Sequence, residues 1–244
     1  MIIADEVLDG RDAVLAATGH HPFVRHSLPR HEPARGWRRA DAVCWLLAGE
    51  IGPIGGVIGA PATAIDLVSE LAAQRRFAAG RWVHLPRTDP APIWPAVAEH
   101  EDWDFLWATG APPRQPGQER VVRLTEADHP ALDALIDEAF PTSTARPGNP
   151  QVLDWYGIRD GDELIACGAD RTRGEVGFLA GLTVAPRHRG RGLGAALTAG
   201  MTRALLTRYD MVALGVYPSN TAAARLYRRL GYTGMFPLTS VRFA

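Results

Sequence analysis

The segment Leu182–Leu197 constrains the fold most, because a strand end, a glycine-rich turn and a helix start follow one another there. Apolar residues at alternate positions up to Val184 predict a strand, and apolar residues at helical spacing after Leu193 predict a helix. Glycines alternate with other residues in the turn at Gly190, Gly192 and Gly194. Backbone N–H groups could approach a ligand there without an intervening Cβ, at the positive end of the helix. The segment therefore predicts an anion cradle, with pyrophosphate as the expected group.

Two known phosphate-loop patterns fit this segment poorly. A Walker loop requires Gly-Lys-Ser/Thr, and the chain contains no lysine. The dinucleotide fingerprint matches Gly190-x-Gly192-x-x-Ala195, with Asp210 at about the expected offset of ~20 residues. However, Pro186–Arg189 separate the strand from the glycines, and Asp210 precedes the next predicted strand, Met211–Val216, instead of ending it. An NAD(P)-binding oxidoreductase is therefore a disfavoured alternative.

A third pattern fits in full. Residues Arg189–Gly194 match Arg/Gln-x-x-Gly-x-Gly/Ala after the usual Leu-x-Val-x-Pro, which starts at Leu182. Residues Asn220–Tyr232 match Asn-x-x-Ala-x-x-Leu-Tyr-x-x-x-Gly-Phe/Tyr. Through these two motifs in order, the C-terminal half resembles the GNAT superfamily of acyl-CoA-dependent N-acyltransferases. The resemblance covers about Val121 to Ala244. It implies an α/β (α+β) fold with a central mixed, mostly antiparallel sheet flanked by helices.

The resemblance also implies a site for acetyl-CoA as the acyl-donating cosubstrate. Strand backbone groups would pair with the pantetheine, backbone amides of the turn and helix start would hold the pyrophosphate, and one side-chain amide would contact the cofactor. The strand residues are Leu182, Thr183 and Val184, and the side-chain amide is that of Asn220. The residues of the turn and helix start are Arg189, Gly190, Arg191, Gly192, Leu193, Gly194 and Ala195.

Tyr227 is the candidate general acid, because the family places a tyrosine hydroxyl at this position near the thioester sulfur. Packing in its helix face is the structural alternative. Some family members use a glutamate on the motif strand as general base, but Phe178 stands near that place here. Glu175 is a weaker candidate, with Asp170, Tyr156 or a chain of waters as alternatives.

Composition excludes several classes of function. Twenty-six basic and 27 acidic residues give a net charge of −1, so no general attraction to nucleic acid or anionic membranes is expected. Two cysteines, Cys44 and Cys167, predict no disulfide framework. The chain shows no apolar membrane span and no secretory signal, which predicts a cytoplasmic protein. The histidine-rich segment His20–Arg39 lacks metal-ligand spacing and is interpreted as a solvated loop, so no metal is expected.

The N-terminal half, residues 1–110, has weaker patterns that predict an αββαβαβ order. The predicted helices are Ala4–Ala17, Ala62–Phe77 and a short one near Trp94–His100; the predicted strands are Ala42–Leu47, Ile54–Ile58, Arg81–Leu85 and Trp103–Trp107. This order loosely resembles a GNAT half without its motifs, so a smaller, degenerate GNAT-like α/β domain and a family-specific cap both stay open.

Residues 111–119 are rich in proline and glycine and predict a linker to a second domain, 120–244. That domain is expected to begin with a strand, a helix N-capped by Thr125 with Asp128, and a hairpin, Val152–Arg159 and Glu163–Asp170. Met235–Phe243 would supply the closing strand or strands. By resemblance alone, the loop Pro141–Pro150 would help to form the acceptor site.

The sequence thus predicts an enzyme that transfers acetyl directly from acetyl-CoA to an amine on a small molecule or peptide. The N-terminal domain would shape the acceptor side or a homodimer. No nucleic-acid or membrane partner is expected. The alternative from another class is a non-catalytic acyl-CoA-binding module with a regulatory or interaction role.

Overall fold

The computed structural model describes residues 6–47 and 55–244. The chain divides into two compact units. The first contains the chain up to Phe105 together with Val216–Ser219 and Met235–Ala244, and the second contains Leu106–Gly215 and Asn220–Gly234. The sequence-based boundaries are 1–110, 111–119 and 120–244. They differ from this division, which assigns residues 106–119 to the second unit and residues 216–219 and 235–244 to the first.

The described chain contains twelve strands and six α-helices. The strands are β1 Glu6–Asp9, β2 Ala34–Arg39, β3 Ala42–Leu47, β4 Gly55–Ile58, β5 Trp82–Pro86, β6 Val97–Ala108, β7 Val122–Leu124, β8 Asp154–Asp160, β9 Glu163–Asp170, β10 Gly177–Val184, β11 Val212–Val216 and β12 Gly234–Phe243. The α-helices are α1 Arg11–Ala17, α2 Pro22–Ser27, α3 Pro61–Ala73, α4 His129–Ala139, α5 Leu193–Leu206 and α6 Thr221–Arg229. None of the helices in residues 6–47 and 55–244 is long and apolar enough to cross a membrane.

Each unit contains a mixed sheet that is mostly antiparallel. In the first unit β1 to β4 pair antiparallel in sequence order, β5 joins β4 in parallel, and β12 pairs antiparallel with β5. In the second unit β7 to β10 pair antiparallel in sequence order, and β11 joins β10 in parallel. The parallel pairs are connected by α3 and α5 respectively, so the two units repeat one arrangement. This architecture confirms the predicted fold class.

The second unit confirms the predicted elements around the motifs. The hairpin β8–β9 turns at Gly161, whose φ of 58° is readily accessible to glycine. The carboxylate of Asp128 accepts the backbone N–H of Thr125 at 2.7 Å, which completes the predicted cap before α4. Leu132, Leu135 and Ile136 of α4 are buried in the core, as their spacing predicts.

Two predicted helices in the first unit are wrong. The predicted helix Ala4–Ala17 contains β1 instead, and the helix begins only at Arg11, after Gly10 with φ 91°. In place of the predicted short helix near Trp94–His100, the structure has a 3₁₀ helix that ends at Ala96. The residues that follow belong to the long strand β6. The predicted strand Trp103–Trp107 lies within β6 and is confirmed. Of the predicted strand Ile54–Ile58, Ile54 lies outside the described residues.

The predicted solvated loop His20–Arg39 is also wrong, since it contains α2 and β2. The helix α2 begins with a proline at its first position. His21 caps the helix, since its Nδ1 atom accepts the N–H of Phe23 at 3.2 Å. His26 is buried, with its ring centroid 5.3 Å from that of Phe105. His21 therefore caps α2 and His26 packs in the core of the first unit, whereas His20 and His31 are exposed.

Candidate functional site

A β-bulge interrupts β10 where its predicted binding residues begin. Ala180 pairs with Ala169 of β9, but Thr183 pairs with Cys167, so β10 carries one extra residue. The bulge contains Gly181, whose φ of 59° favours glycine. The hydroxyl of Thr183 stabilises the bulge by donating to the carbonyl of Gly181 at 2.9 Å.

On its other edge, β10 separates from β11. Their parallel pairing runs from Gly177 with Val212 to Leu179 with Leu214, whereas β10 continues to Val184. Backbone groups of the second half of β10 are therefore left without β11 partners among the residues that the structure describes. Unpaired strand groups of this kind can hydrogen-bond to an extended ligand that bears amides.

The glycine turn leads into a helix start that is open to ligands. Gly190 and Gly192 adopt φ values of 77° and 79°, and a Cβ on either would meet no atom within 4 Å. Gly192 is the N-cap of α5 and carries no capping side chain. The first N–H groups of a helix have no intrahelical acceptor, so those of Leu193, Gly194 and Ala195 remain available to an anion.

These features surround a cavity of about 640 Å³ that lies within the second unit. Its walls come from the end of α4, the second half of β10, the glycine turn, the start of α5 and one face of α6. The lining residues are Ala139, Phe140, Leu182, Thr183, Val184, His188, Arg189, Gly190, Gly192, Leu193, Gly194, Ala195, Asn220, Ala222, Ala223, Leu226 and Arg229. All predicted cofactor-binding residues except Arg191 are therefore brought together at one cavity.

The basic side chains of the turn are held mainly by the protein. Arg189 donates to the carbonyls of Val184 at 3.2 Å and Ala139 at 3.3 Å, which ties the turn to β10 and to the end of α4. Arg191 lies with Nη1 3.5 Å from Nδ1 of His188. His188 is 9 % exposed, with Nε2 3.6 Å from a carboxylate oxygen of Glu163. The turn is thus pre-shaped, which lowers the entropic cost of binding.

Asn220 has a structural task as well as a place in the cavity wall. Its side-chain oxygen accepts the N–H of Ala223 at 3.1 Å and so caps α6. That bond fixes the amide orientation and leaves the NH₂ group free to donate to a ligand carbonyl. The helix then presents alanines and Leu226 to the cavity at three- and four-residue spacing.

The predicted catalytic residues lie outside the cavity lining, and their roles stay predictions. Tyr227 is 8 % exposed, and burial raises the pKa of its phenol to about 12. The hydroxyl is therefore protonated at neutral pH, as a general acid requires. Glu175 lies in the turn before β10, separated from Gly181 by roughly 20 Å of extended chain.

The two alternative bases are a buried carboxylate held by its neighbours and a buried phenol. Asp170 is fully buried, and its carboxylate accepts bonds from Arg208 at 2.9 Å and from the Thr172 hydroxyl at 2.5 Å. Burial raises the pKa of the Tyr156 phenol, so it is protonated at neutral pH. The Asp170 carboxylate is thus engaged by Arg208 and Thr172, and the Tyr156 phenol carries its proton.

The loop predicted to form the acceptor site packs onto the bulge of β10. A Cβ added to Gly181 would lie 3.0 Å from Cβ of Ala145 and 3.3 Å from Oγ of Ser143. Arg171, which directly follows β9, donates to the hydroxyl of Thr144 at 3.1 Å. These contacts fix the loop beside the point where β10 and β11 diverge.

The sequence motifs did not identify several lining residues, namely Ala139, Phe140, Ala222, Ala223, Leu226 and Arg229. The helical spacing within Asn220–Arg229 was a usable signal for the last four. Phe140 ends a helix far away in sequence, so only the tertiary structure brings it to the cavity.

Comparisons with known proteins agree with this geometry. Residues 155–241 match the family model described as FR47-like protein. A mycothiol acetyltransferase from Thermobispora bispora is 49% identical over 67 residues, which are 27% of this chain and 22% of that protein. This match therefore spans about a fifth of the relative's length.

Solved structures match over most of the chain. A GNAT-family protein from Novosphingobium aromaticivorans has a TM-score of 0.57 at 26% identity and covers 84% of this chain and 89% of its own. A GCN5-related N-acetyltransferase from Sphaerobacter thermophilus has a TM-score of 0.54 at 16% identity, covering 99% and 97%. A GNAT-family acetyltransferase from Colwellia psychrerythraea has a TM-score of 0.55 at 13% identity, covering 98% and 100%. The last two show likeness of fold alone.

Proposed function

Because the C-terminal half of this chain belongs to the GNAT superfamily, we propose that the protein transfers an acetyl group from acetyl-CoA to a primary amine. The observation that carries the proposal is the cavity of the second unit. There an uncapped helix start, a glycine turn and a strand with free backbone groups meet. Pyrophosphate suits the first two features, and the amides of pantetheine suit the third.

Binding would rely mostly on backbone groups that need no rearrangement. The amides at the start of α5 are fixed by the helix, and the glycine turn is held by Arg189. Donors that are oriented in advance stabilise charge without a reorganisation cost. The NH₂ group of Asn220 would add a side-chain contact to the pantetheine.

The transfer itself is an attack of a neutral amine on the thioester carbonyl. The new C–N bond forms, the C–S bond breaks, and the amine loses a proton while the thiolate gains one. Tyr227 would donate to the sulfur, since burial keeps its phenol protonated. The amine proton would leave through a chain of waters that ends at Glu175 or at bulk solvent, because Glu175 is too far along the chain from Gly181 for direct contact.

The acceptor is a primary amine on a small molecule or a peptide. The loop that packs on Gly181 would select it, because this loop lies where the strands diverge. The local identity to a mycothiol acetyltransferase makes mycothiol-related amines one class to include in an acceptor panel.

A non-catalytic acyl-CoA-binding module is the second candidate. It is favoured by one observation, namely that neither Tyr227 nor Glu175 lines the cavity. Such a module would bind acetyl-CoA but release no thiol with any amine.

The test has two parts. Calorimetric titration with acetyl-CoA, CoA and NAD measures cofactor selection, and acetyl-CoA binding without NAD binding is expected. A thiol-release assay over an amine panel then measures turnover. Thiol release identifies the acceptor class, whereas acetyl-CoA binding without turnover supports the binding module. The absence of acetyl-CoA binding would contradict both.

A further inference from the structure

One positively charged side chain of the cavity lining makes no hydrogen bond or ion pair with the described residues. Among the residues that the structure describes, the guanidinium of Arg229 has no hydrogen-bond or ion-pair partner, and its side chain is exposed. Arg189, the other arginine of the lining, is held by two carbonyls. A guanidinium that lines a cavity without a protein partner is available to a ligand anion.

Arg229 lies close to the cradle. It is the last residue of α6 and shares a helix face with Leu226, three positions earlier. Residues at this spacing have Cβ atoms about 5–6 Å apart. Leu226 borders the cradle directly, because a Cβ added to Gly194 would lie 3.6 Å from its Cδ2 atom. Arg229 is therefore one helix turn from a residue that borders the predicted pyrophosphate position.

Acyl-CoA carries one further phosphate, on the 3′ position of its ribose, after the pyrophosphate is assigned to the cradle. An exposed, planar guanidinium matches the geometry of a phosphate dianion and can bind it with two parallel hydrogen bonds. A carboxylate on the acyl group is a poorer match, because the acyl end would lie along the diverging strands and not at an exposed helix end.

We propose that Arg229 binds the 3′-phosphate of acyl-CoA and makes the protein select CoA over 3′-dephospho-CoA. This inference rests on the proposed function, since it assumes that acyl-CoA occupies the cavity. It assigns the residue a role in cofactor specificity and none in the acyl transfer step.

The experiment is a thermodynamic cycle with two ligands and three proteins. Acetyl-CoA and acetyl-3′-dephospho-CoA are titrated, at one fixed ionic strength, into the unchanged protein, Arg229→Gln and Arg225→Gln. Arg225 is the matched control, because it is an exposed arginine of the same helix outside the cavity lining. Each substitution removes one positive charge, so long-range attraction changes similarly in both variants.

The unchanged protein is expected to prefer acetyl-CoA by about 10- to 100-fold, the range of a charged hydrogen bond. Arg229→Gln should lose affinity for acetyl-CoA by that factor and bind both ligands about equally. Arg225→Gln should keep the preference.

Three outcomes would overturn the inference. They are equal binding of both ligands by the unchanged protein, a preference that persists in Arg229→Gln, and equal losses in both variants. Equal binding with high affinity would leave the proposed function intact. Failure of every protein to bind acetyl-CoA would reject the proposed function itself and this inference with it.

Discussion

Replacing Gly194 with glutamate should separate ligand binding from stability, because the two should change in opposite directions. Gly194 lies in the first turn of α5 with a φ in the ordinary range, and an added Cβ would make only ordinary contacts. Its nearest atoms would be Cδ2 of Leu226 at 3.6 Å and Cγ2 of Val184 at 4.0 Å. Both residues line the cavity, so the new side chain would enter the space meant for the pyrophosphate.

The magnitude of the binding loss follows from electrostatics. A carboxylate about 4 Å from a phosphate charge costs roughly 4 kcal/mol at an effective dielectric constant of about 20, or about 1,000-fold in affinity. Solvent at the cavity would reduce this, so a loss of at least about 100-fold in acetyl-CoA affinity is expected. The fold, in contrast, should gain from the substitution. Glycine is a poor helix former, and a negative charge favours the positive end of the helix, for about 1 kcal/mol together.

Isothermal titration calorimetry and thermal unfolding of the ligand-free protein measure the two effects. The gain in stability corresponds to a rise of about 2–4 °C in Tm for a protein of this size. Ala204→Glu is the matched control, because it adds the same charge to the same helix outside the cavity lining and should leave acetyl-CoA binding unchanged. Acetyl-CoA affinity within threefold of the original in Gly194→Glu would refute the cradle. A fall of several degrees in Tm would refute the open space beside Gly194.

Two further substitutions test other parts of the site. Tyr227→Phe should lower kcat about 100-fold without changing acetyl-CoA affinity, since a thiolate leaving group needs only modest help from an acid. Steady-state kinetics with an active amine measure this effect. An unchanged kcat would show that Tyr227 takes no part in the mechanism. Gly181→Ala should destabilise the fold by about 1–2 kcal/mol, because its φ of 59° is unfavourable for alanine and the new methyl would lie 3.0 Å from Cβ of Ala145. Chemical unfolding checks the second expectation, with Gly181→Asn, which tolerates the left-handed region better, as the backbone control.

The cradle could be predicted from the sequence because its determinants are local. Proline ends a strand, glycines permit a turn, and helical spacing follows, all within Leu182–Leu197. The first helix of the N-terminal half was misplaced for a comparable local reason. The strand β1 ends before Gly10 and α1 begins after it, but the apolar residues on both sides of Gly10 fit one continuous helical pattern.

The first part of β6, before the predicted strand Trp103–Trp107, was missed because its exposed face carries charges that suit a surface helix equally well. Glu99 is paired with Arg242 of β12, and Asp102 accepts the hydroxyl of Thr239 at 2.6 Å. Such cross-strand pairs stabilise a sheet but involve partners about 140 residues away, which no local pattern reveals. The composition of the cavity wall also depends on tertiary contacts, since Phe140 and Arg229 come from different helices.

The two units repeat one strand arrangement, but their equivalent helices begin in different electrostatic surroundings. In the second unit residues 185–192 lie between β10 and α5, and they leave the helix start open. In the first unit only Gly59 and Ala60 lie between β4 and α3. There the carboxylate of Asp41 accepts the N–H of Ala60 at 2.7 Å, and its hydrogen bonds to Ala60 and Thr63 hold its pKa below the usual range.

A carboxylate of the protein thus stands beside the start of α3, and at neutral pH it is ionised and would repel a ligand phosphate. We therefore expect one acetyl-CoA molecule per chain, bound in the second unit. Calorimetry should give a stoichiometry near one, and Gly194→Glu should weaken the whole of the binding and not half of it. A stoichiometry near two, or half of the binding capacity left in Gly194→Glu, would show that the short connection and Asp41 do not exclude an anion from the first unit.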